Sequence, residues 1–136
     1  MLGVNKANLQ LIRLNESDPH GLNLIFKLTN DVARAEFTPD QKYEGYPGYI
    51  HQGIIAVIMD DAMGWLARNG AGICSVTAKM EICLFQLPKI GETIRICAKI
   101  SKNSKKLLRE IVKMESKEGV LFAKGTCVQY IIGEIE

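Results

Sequence analysis

The features of this sequence best suited to chemistry are two adjacent carboxylates, Asp60 and Asp61, within an apolar stretch that begins at Ile54. A buried carboxylate is costly unless it is paired, so carboxylates in such surroundings tend to be functional or to lie at an interface. Adjacent residues of a helix point about 100° apart. We therefore expect only one of the two carboxylates to face a given site.

A second feature is a segment rich in glycine and proline that leads into His51, Gln52 and Gly53. Backbone N–H groups at the start of a helix have no partner within it and are good donors to a developing oxyanion. The absence of a side chain at Gly53 also allows another group to approach the backbone closely. We expect these residues to present donors at the start of the helix that carries both carboxylates.

The helix and strands that position these groups follow from hydrophobic periodicity. Apolar residues at helical spacing predict one long helix over residues 51 to about 68, which ends at the sequence NGAG of 69–72. Alternation of apolar and polar residues predicts strands over 22–29, about 32–37, 74–84, 94–100, 106–115 and 120–132. Residues 38–49 are rich in turn formers and predict a loop of a length that is often functional.

The connections at 87–91, 102–105 and 116–119 are short, which favours antiparallel neighbours. A single helix that is apolar over a wide arc must be covered by the sheet. The predicted fold class is therefore α+β, with a curved antiparallel sheet wrapped around one long central helix. Strict alternation in strand 74–84 groups Thr77 with Ser75 and Lys79 on the polar face, which leaves a solvent-facing role for its hydroxyl open.

Composition excludes several classes of protein. The chain of 136 residues has the size of one domain, and we treat residues 1–136 as a single domain. Its formal net charge of +2 creates no strong field for nucleic acid or a membrane surface. The four cysteines lie in apolar runs without a C-x-x-C pair, as expected of buried free thiols in a reducing cytoplasm. With two histidines in the chain we expect no metal site, and residues 1–14 lack a signal-peptide run, so we expect a cytoplasmic location.

Read in order, these segments resemble the hotdog-fold acyl-CoA thioesterases, the branch that includes the phenylacetate-pathway thioesterases. That pattern is a Gly/Pro loop, His-Gly-Gly, an apolar run and an acid nine residues after the histidine. Here residues 47–53 read PGYIHQG and Asp60 stands nine residues after His51. Residues 18–22 (DPHGL), 76–80 (VTAKM) and 88–92 (PKIGE) resemble the flanking segments of the family. The sequence departs from the pattern at Gln52, which replaces the first glycine, and at Gly45, where some members carry asparagine.

The resemblance implies a thioester hydrolase that releases a free acid and coenzyme A without a cofactor or metal. Asp60 would be the nucleophile or the general base, and Asp61 is the second choice for that role. The backbone N–H of Gln52 would polarise the thioester carbonyl, and His51 would fix the loop. Thr77 matches a strand hydroxyl that orients the attacking water in some members.

The resemblance also implies an assembly, because in those members the acid and the hydroxyl come from one subunit and the oxyanion donor from its partner. We therefore expect at least a homodimer, and a homotetramer as the common form. For acyl-CoA as the substrate, Lys105 and Lys106 are candidates to bind the coenzyme A phosphates, or they form a solvated turn. Tyr46 and Tyr49 line an acyl pocket or pack within the loop.

Two other functions are compatible with the same pattern. A hotdog-fold hydratase or dehydratase would need a histidine and an acid working as a pair, which the isolated His51 disfavours. A non-catalytic module that binds an acyl thioester would bind its ligand without turnover.

Overall fold

The computed structural model describes residues 22–135. Most of the predicted entry segment at residues 18–22 therefore lies outside the described residues, as does the N-terminal run of residues 1–14. Within the described residues there is one α-helix, α1 (Gln52–Gly70), which packs its apolar face against a six-stranded antiparallel sheet. The buried residues of this helix are Ile55, Ile58, Met59, Ala62, Met63, Leu66 and Ala67. Within residues 22–135, no helix combines the length and the apolar character that crossing a bilayer requires.

The strands are β1 (Lys27–Thr29), β2 (Val32–Phe37), β3 (Ile73–Leu84), β4 (Ile94–Asn103), β5 (Leu107–Ser116) and β6 (Leu121–Glu134). A short 3-10 turn at Gln41–Tyr43 interrupts the loop between β2 and α1. The order in the sheet is β1-β2-β4-β5-β6-β3. The predicted α+β class, with an antiparallel sheet around one central helix, is confirmed.

The neighbour predicted for β3 is wrong. The short connection at 87–91 suggested that β3 and β4 lie side by side, but β3 pairs with β6 and forms one edge of the sheet. The chain stays beside β6 after β3 ends, because the N–H groups of Phe85 and Gln86 both donate to the Phe122 carbonyl oxygen. It then crosses to the other half of the sheet, where β4 pairs with β2 and β5.

The predicted strand over residues 22–29 is shorter than expected. Only Lys27–Thr29 is hydrogen-bonded as a strand, against β2. Its alternation still sets burial, since Leu22, Leu24 and Phe26 are buried and the residues between them are exposed. The Phe26 ring packs against Trp65 of the helix, with 5.5 Å between the ring centroids. The apolar face of this segment therefore covers the helix instead of extending the sheet.

An irregularity in β3 overturns the strict alternation predicted for that strand. Thr77 lies opposite Gln129 in β6, whereas Met80 lies opposite Cys127, so three residues of β3 span two of β6. This bulge places Thr77 on the same face of the sheet as Met80, toward the helix. Val76 takes the outward position and is 47% exposed. The grouping of Thr77 with Lys79 on one polar face is therefore wrong.

The expectation that all the cysteines are buried is also corrected. All four thiols are free, and Cys74 and Cys127 are buried, but Cys97 is half-buried and Cys83 is exposed. Cys83 lies opposite the exposed Lys124 of β6, on the face of the sheet that points away from the helix.

The Met59 side chain of the helix packs tightly on Gly125 of β6. A Cβ atom there would lie 2.6 Å from the Met59 sulfur and 3.5 Å from the Glu81 carbonyl oxygen. Met59 is completely buried and has little room to move. Because Gly125 has no side chain, the Met59 side chain can pack directly against the backbone of β6.

We predict that Gly125→Ala lowers the free energy of unfolding by about 1–3 kcal/mol, because the added methyl overpacks the contact with Met59. Gly64→Ala is the matched control, since its methyl would meet only the Arg68 guanidinium at 3.2 Å and mid-helix alanine is favoured by up to about 1 kcal/mol. Urea unfolding of both variants tests this. Equal stability of Gly125→Ala and the wild type would contradict the packing described.

Candidate active site

His51 caps the start of the helix. Its backbone is extended, and its Nδ1 atom accepts a hydrogen bond of 2.8 Å from the backbone N–H of Gly53. A Cβ atom on Gly53 would lie 3.0 Å from both Cε1 and Nδ1 of the imidazole ring. Glycine at position 53 therefore makes room for the His51 ring. Because Nδ1 is an acceptor, the neutral ring carries its proton on Nε2.

The cap leaves one backbone donor free at the helix start. The N–H of Gly53 is used by the His51 ring, and the N–H of Ile54 donates to the His51 carbonyl oxygen at 3.0 Å. No residue between 22 and 135 accepts a hydrogen bond from the N–H of Gln52. Gln52 is exposed, so this N–H is available to a ligand at the positive end of the helix dipole.

The loop before the helix is tightly hydrogen-bonded. The Glu44 carboxylate accepts from the Gly48 N–H at 2.9 Å, and the His51 N–H donates to the Tyr43 carbonyl oxygen at 2.8 Å. A Cβ atom on Gly45 would lie 2.9 Å from the His51 Cα atom. Glycine at position 45 thus allows the loop to pack directly on the backbone of the capping residue.

A cavity of about 490 Å³ opens beside the helix start. It is lined by Glu44, Gly45, Tyr46, Pro47, Ile50, His51, Gln52 and Leu87. Tyr46 lies in this wall and is 74% exposed, whereas Tyr49 is absent from the lining and forms a backbone bridge with Lys89. Of the two predicted tyrosines, the structure places only Tyr46 in the cavity beside Gln52.

Asp60 and Thr77 meet at the boundary between the helix and the edge strand. The Thr77 hydroxyl donates a hydrogen bond of 3.0 Å to Asp60 Oδ1. Both residues are exposed, so the carboxylate is held by one partner and is open to a ligand on its other side. The β3 bulge makes this contact possible, since it turns Thr77 toward the helix.

Asp61 lies on a different face of the helix, about 100° away from Asp60. One of its oxygens, Oδ2, is buried and has no hydrogen-bond partner in the described part of the chain. Burial raises the pKa of Asp61 to about 6, an effect that the charge of Arg68 opposes and that of Asp60 reinforces. The structure therefore separates the two adjacent acids, and Asp60 is the one in contact with Thr77.

Sequence reasoning missed a buried polar cluster on the helix-facing side of the sheet. Glu110 is 1% exposed, and its Oε1 atom accepts a hydrogen bond from the Gln129 amide. The Gln129 carbonyl oxygen in turn accepts from the Ser75 hydroxyl. A signal was available in β5, where Glu110 occupies an inward position between the buried residues Leu108 and Val112.

The other predicted groups do not join these residues. Lys105 and Lys106 lie in the exposed turn between β4 and β5, and neither lines the cavity beside the helix start. Gln52 and Asp60 are also apart, since eight residues of helix separate them by roughly 12 Å. One chain therefore holds the carboxylate with its hydroxyl and the free N–H as two distant groups.

The family of the chain follows from a comparison with family models. The model described as the thioesterase superfamily matches residues 47–123, more than half of the chain. The chain belongs to the thioesterase superfamily. No curated protein sequence matches the chain.

Solved structures show the same fold. Streptococcus mutans smu.793 bound to acetyl CoA has a TM-score of 0.78 and 20% identity, over 84% of this chain and 92% of that chain. A hypothetical thioesterase from Streptococcus pneumoniae with coenzyme A has a TM-score of 0.78 and 18% identity, over the same shares. The E. coli PaaI protein from the phenylacetic acid degradation operon has a TM-score of 0.77 and 16% identity, over 84% and 83%. The predicted hotdog fold is confirmed.

We predict that His51→Ala lowers the free energy of unfolding by about 1 kcal/mol, because the Gly53 N–H loses its acceptor at the helix start. His51→Asn is the matched variant, since asparagine is among the best capping residues, and it should retain most of that stability. Thermal or urea unfolding measures both. If the two variants lose the same stability, the cap is not what His51 contributes.

Proposed function

We propose that this protein hydrolyses acyl-CoA thioesters to a free acid and coenzyme A. The observation that carries the proposal is the exposed carboxylate of Asp60, held at 3.0 Å by the Thr77 hydroxyl. A carboxylate fixed on one oxygen and open on the other has the geometry of a general base. Membership of the thioesterase superfamily supports the reaction class.

In the proposed reaction a water molecule lies between Asp60 and Thr77. The hydroxyl of Thr77 donates to Asp60 and can accept a hydrogen bond from the water, which orients it. Asp60 takes a proton as the water oxygen adds to the thioester carbonyl carbon. The carbon–sulfur bond then breaks, and the coenzyme A sulfur leaves as a thiolate and takes up that proton.

The carbonyl oxygen becomes negative during this step and needs a donor. The free N–H of Gln52 at the helix start suits that role, because a fixed backbone donor stabilises charge that develops in the transition state. The side chain that replaces glycine at this position leaves the backbone donor in place. The roughly 12 Å between Gln52 and Asp60 along one helix means that the donor must come from a second copy of the chain.

The edge of the sheet supplies a surface for that second copy. β3 pairs with β6 on one side, and its other edge has no strand beside it among residues 22–135. An exposed strand edge readily pairs with another chain. The exposed apolar residues Ile82, Leu84 and Phe85 lie on or directly after this strand, and Phe85 is 61% exposed. We propose a homodimer through β3, while the homotetramer remains a prediction.

Acyl-CoA is the substrate we propose. The S. mutans and S. pneumoniae proteins of the same fold are bound to acetyl CoA and to coenzyme A. The cavity of about 490 Å³ beside Gln52 is large enough for part of such a ligand. Phosphate binding by Lys105 and Lys106, a cytoplasmic location and the absence of a cofactor remain predictions.

The hydratase alternative is disfavoured by the contacts of His51. A hydratase would need the imidazole and an acid to act on one substrate as a pair. Here Nδ1 of His51 accepts from the Gly53 N–H, and Asp60 follows nine residues later along the helix. The imidazole is held in a structural role at the helix start.

We predict that Asp60→Asn lowers kcat on acyl-CoA esters by about 10²–10⁴-fold, because the base is lost. Gln52→Pro should lower kcat by about 10²–10³-fold, because it removes the N–H at a position where proline fits the start of a helix. Free-thiol release from a panel of short, long and aryl esters measures both.

The controls are Gln52→Ala, which retains the N–H, and Asp61→Asn, which changes the acid on the other helix face. Both should keep most of the activity. Loss of turnover in Asp61→Asn alone would identify Asp61 as the base instead of Asp60. Absence of turnover on every ester in the wild type would overturn the proposed reaction.

A further inference from the structure

The buried cluster around Glu110 has features that core packing alone does not explain. Glu110 projects from the middle of β5 toward the helix and lies opposite Cys127 of β6 and Ile100 of β4. Its Oε1 atom accepts from the Gln129 amide, but Oε2 is buried and has no partner among the residues that the structure describes. A buried polar atom without a partner is rare and calls for a reason.

The cluster connects three strands to the Asp60–Thr77 pair. The amide of Gln129 donates to Glu110, and its carbonyl oxygen accepts from the Ser75 hydroxyl, two residues before Thr77 in β3. Gln129 also lies directly opposite Thr77 in the pairing of β3 with β6. Gln129, which is hydrogen-bonded to Glu110, therefore contacts Ser75 and pairs with Thr77, and so fixes this part of β3.

We propose that Glu110 is a positioning residue for hydrolysis, which holds Gln129, Ser75 and the bulged part of β3 so that the Thr77 hydroxyl stays on Asp60. This inference rests on the proposed function. Glu110 does not touch the substrate, since it is buried beneath the helix. It acts on the site through the strand that carries Thr77.

The surroundings of Glu110 favour the uncharged form. Burial raises the pKa of Glu110 to about 8, with the charge of Asp60 reinforcing the effect and the hydrogen bond from Gln129 opposing it. Its neighbours on the adjacent strands are Cys127, where burial raises the pKa of the thiol to about 11, and the apolar Ile100. Among residues 22–135, the negative charge that acts on Glu110 is that of Asp60.

Loss of the proton from Glu110 changes this arrangement. A second negative charge then lies near Asp60, and the Oε2 atom of Glu110 is buried without a partner among residues 22–135. Such a charge must gain a new partner or water, which displaces Gln129 and the strand beside it. The negative charge also opposes the formation of an oxyanion at the same site. Turnover is therefore expected to fall as Glu110 ionises.

The first test is the pH profile of kcat between pH 6 and 10. The kcat of the wild type should fall in a one-proton step near pH 8. Glu110→Gln mimics the uncharged acid, so it should keep the wild-type kcat at neutral pH and lack this step. Glu115→Gln is the matched control, because Glu115 lies on the opposite face of the same strand and should behave as the wild type. The same alkaline step in Glu110→Gln would overturn the proposal.

A second variant separates positioning from charge. Glu110→Leu removes every hydrogen bond to Gln129 and should lower kcat by about 10–100-fold with KM unchanged, because a small displacement of a reacting group has effects of that size. Circular dichroism checks that the fold is retained. The kcat of Thr77→Ala shows how much activity is lost when the hydroxyl itself is removed. Full activity of Glu110→Leu would overturn the positioning role.

The third test needs no turnover. In protein labelled with ¹³C at the glutamate carboxyl carbon, one resonance should titrate near pH 8 and be absent from Glu110→Gln. Asp60→Asn should lower that pKa, because it removes the charge that favours the protonated form. If the pKa of this resonance is the same in Asp60→Asn and in the wild type, the electrostatic link between Glu110 and Asp60 is overturned. An intact link in a protein that hydrolyses no thioester would contradict the proposed function instead.

Discussion

The helix α1 carries Asp60 at the border between its buried and exposed faces. Among residues 22–135, the only hydrogen-bond donor to this carboxylate is the hydroxyl of Thr77. That contact depends on the bulge in β3, since a regular strand would turn Thr77 away from the helix. The bulge is in turn fixed from β6, where Gln129 lies opposite Thr77 and accepts from Ser75. The geometry of one exposed carboxylate is thus determined by the pairing of two strands.

A second constraint is the straightness of the helix. Eight residues of regular helix keep the free N–H of Gln52 roughly 12 Å from Asp60, and no rearrangement of side chains shortens that distance. The two groups proposed to act on one carbonyl therefore lie at the start and near the middle of one rigid helix. The open edge of β3 and its exposed apolar residues give a second chain a place to pair, which is how the proposed site is completed.

Local pattern was enough to predict the helix and the bounds of β2, because both depend on periodicity or turn chemistry within a short segment. It did not predict that β3 lies beside β6, which depends on where the chain crosses the sheet after Phe85. It also missed the bulge between Thr77 and Lys79, because the alternation of apolar and polar residues over 74–84 shows no sign of it in the sequence. Glu110 could have been noticed as a charged residue between inward-facing apolar neighbours, but its partner Gln129 is distant in sequence.

The central claim, that the base and the oxyanion donor come from different chains, is tested most directly by mixing two inactive variants. Asp60→Asn and Gln52→Pro are refolded together, and a mixed dimer then contains one intact site. Random pairing predicts recovery of roughly a quarter of the wild-type activity. Asp60→Asn mixed with Thr77→Ala should recover nothing beyond the activity of the separate variants, since those two residues act from the same chain. Absence of recovery in the first mixture, with mixed dimers present, would contradict the account.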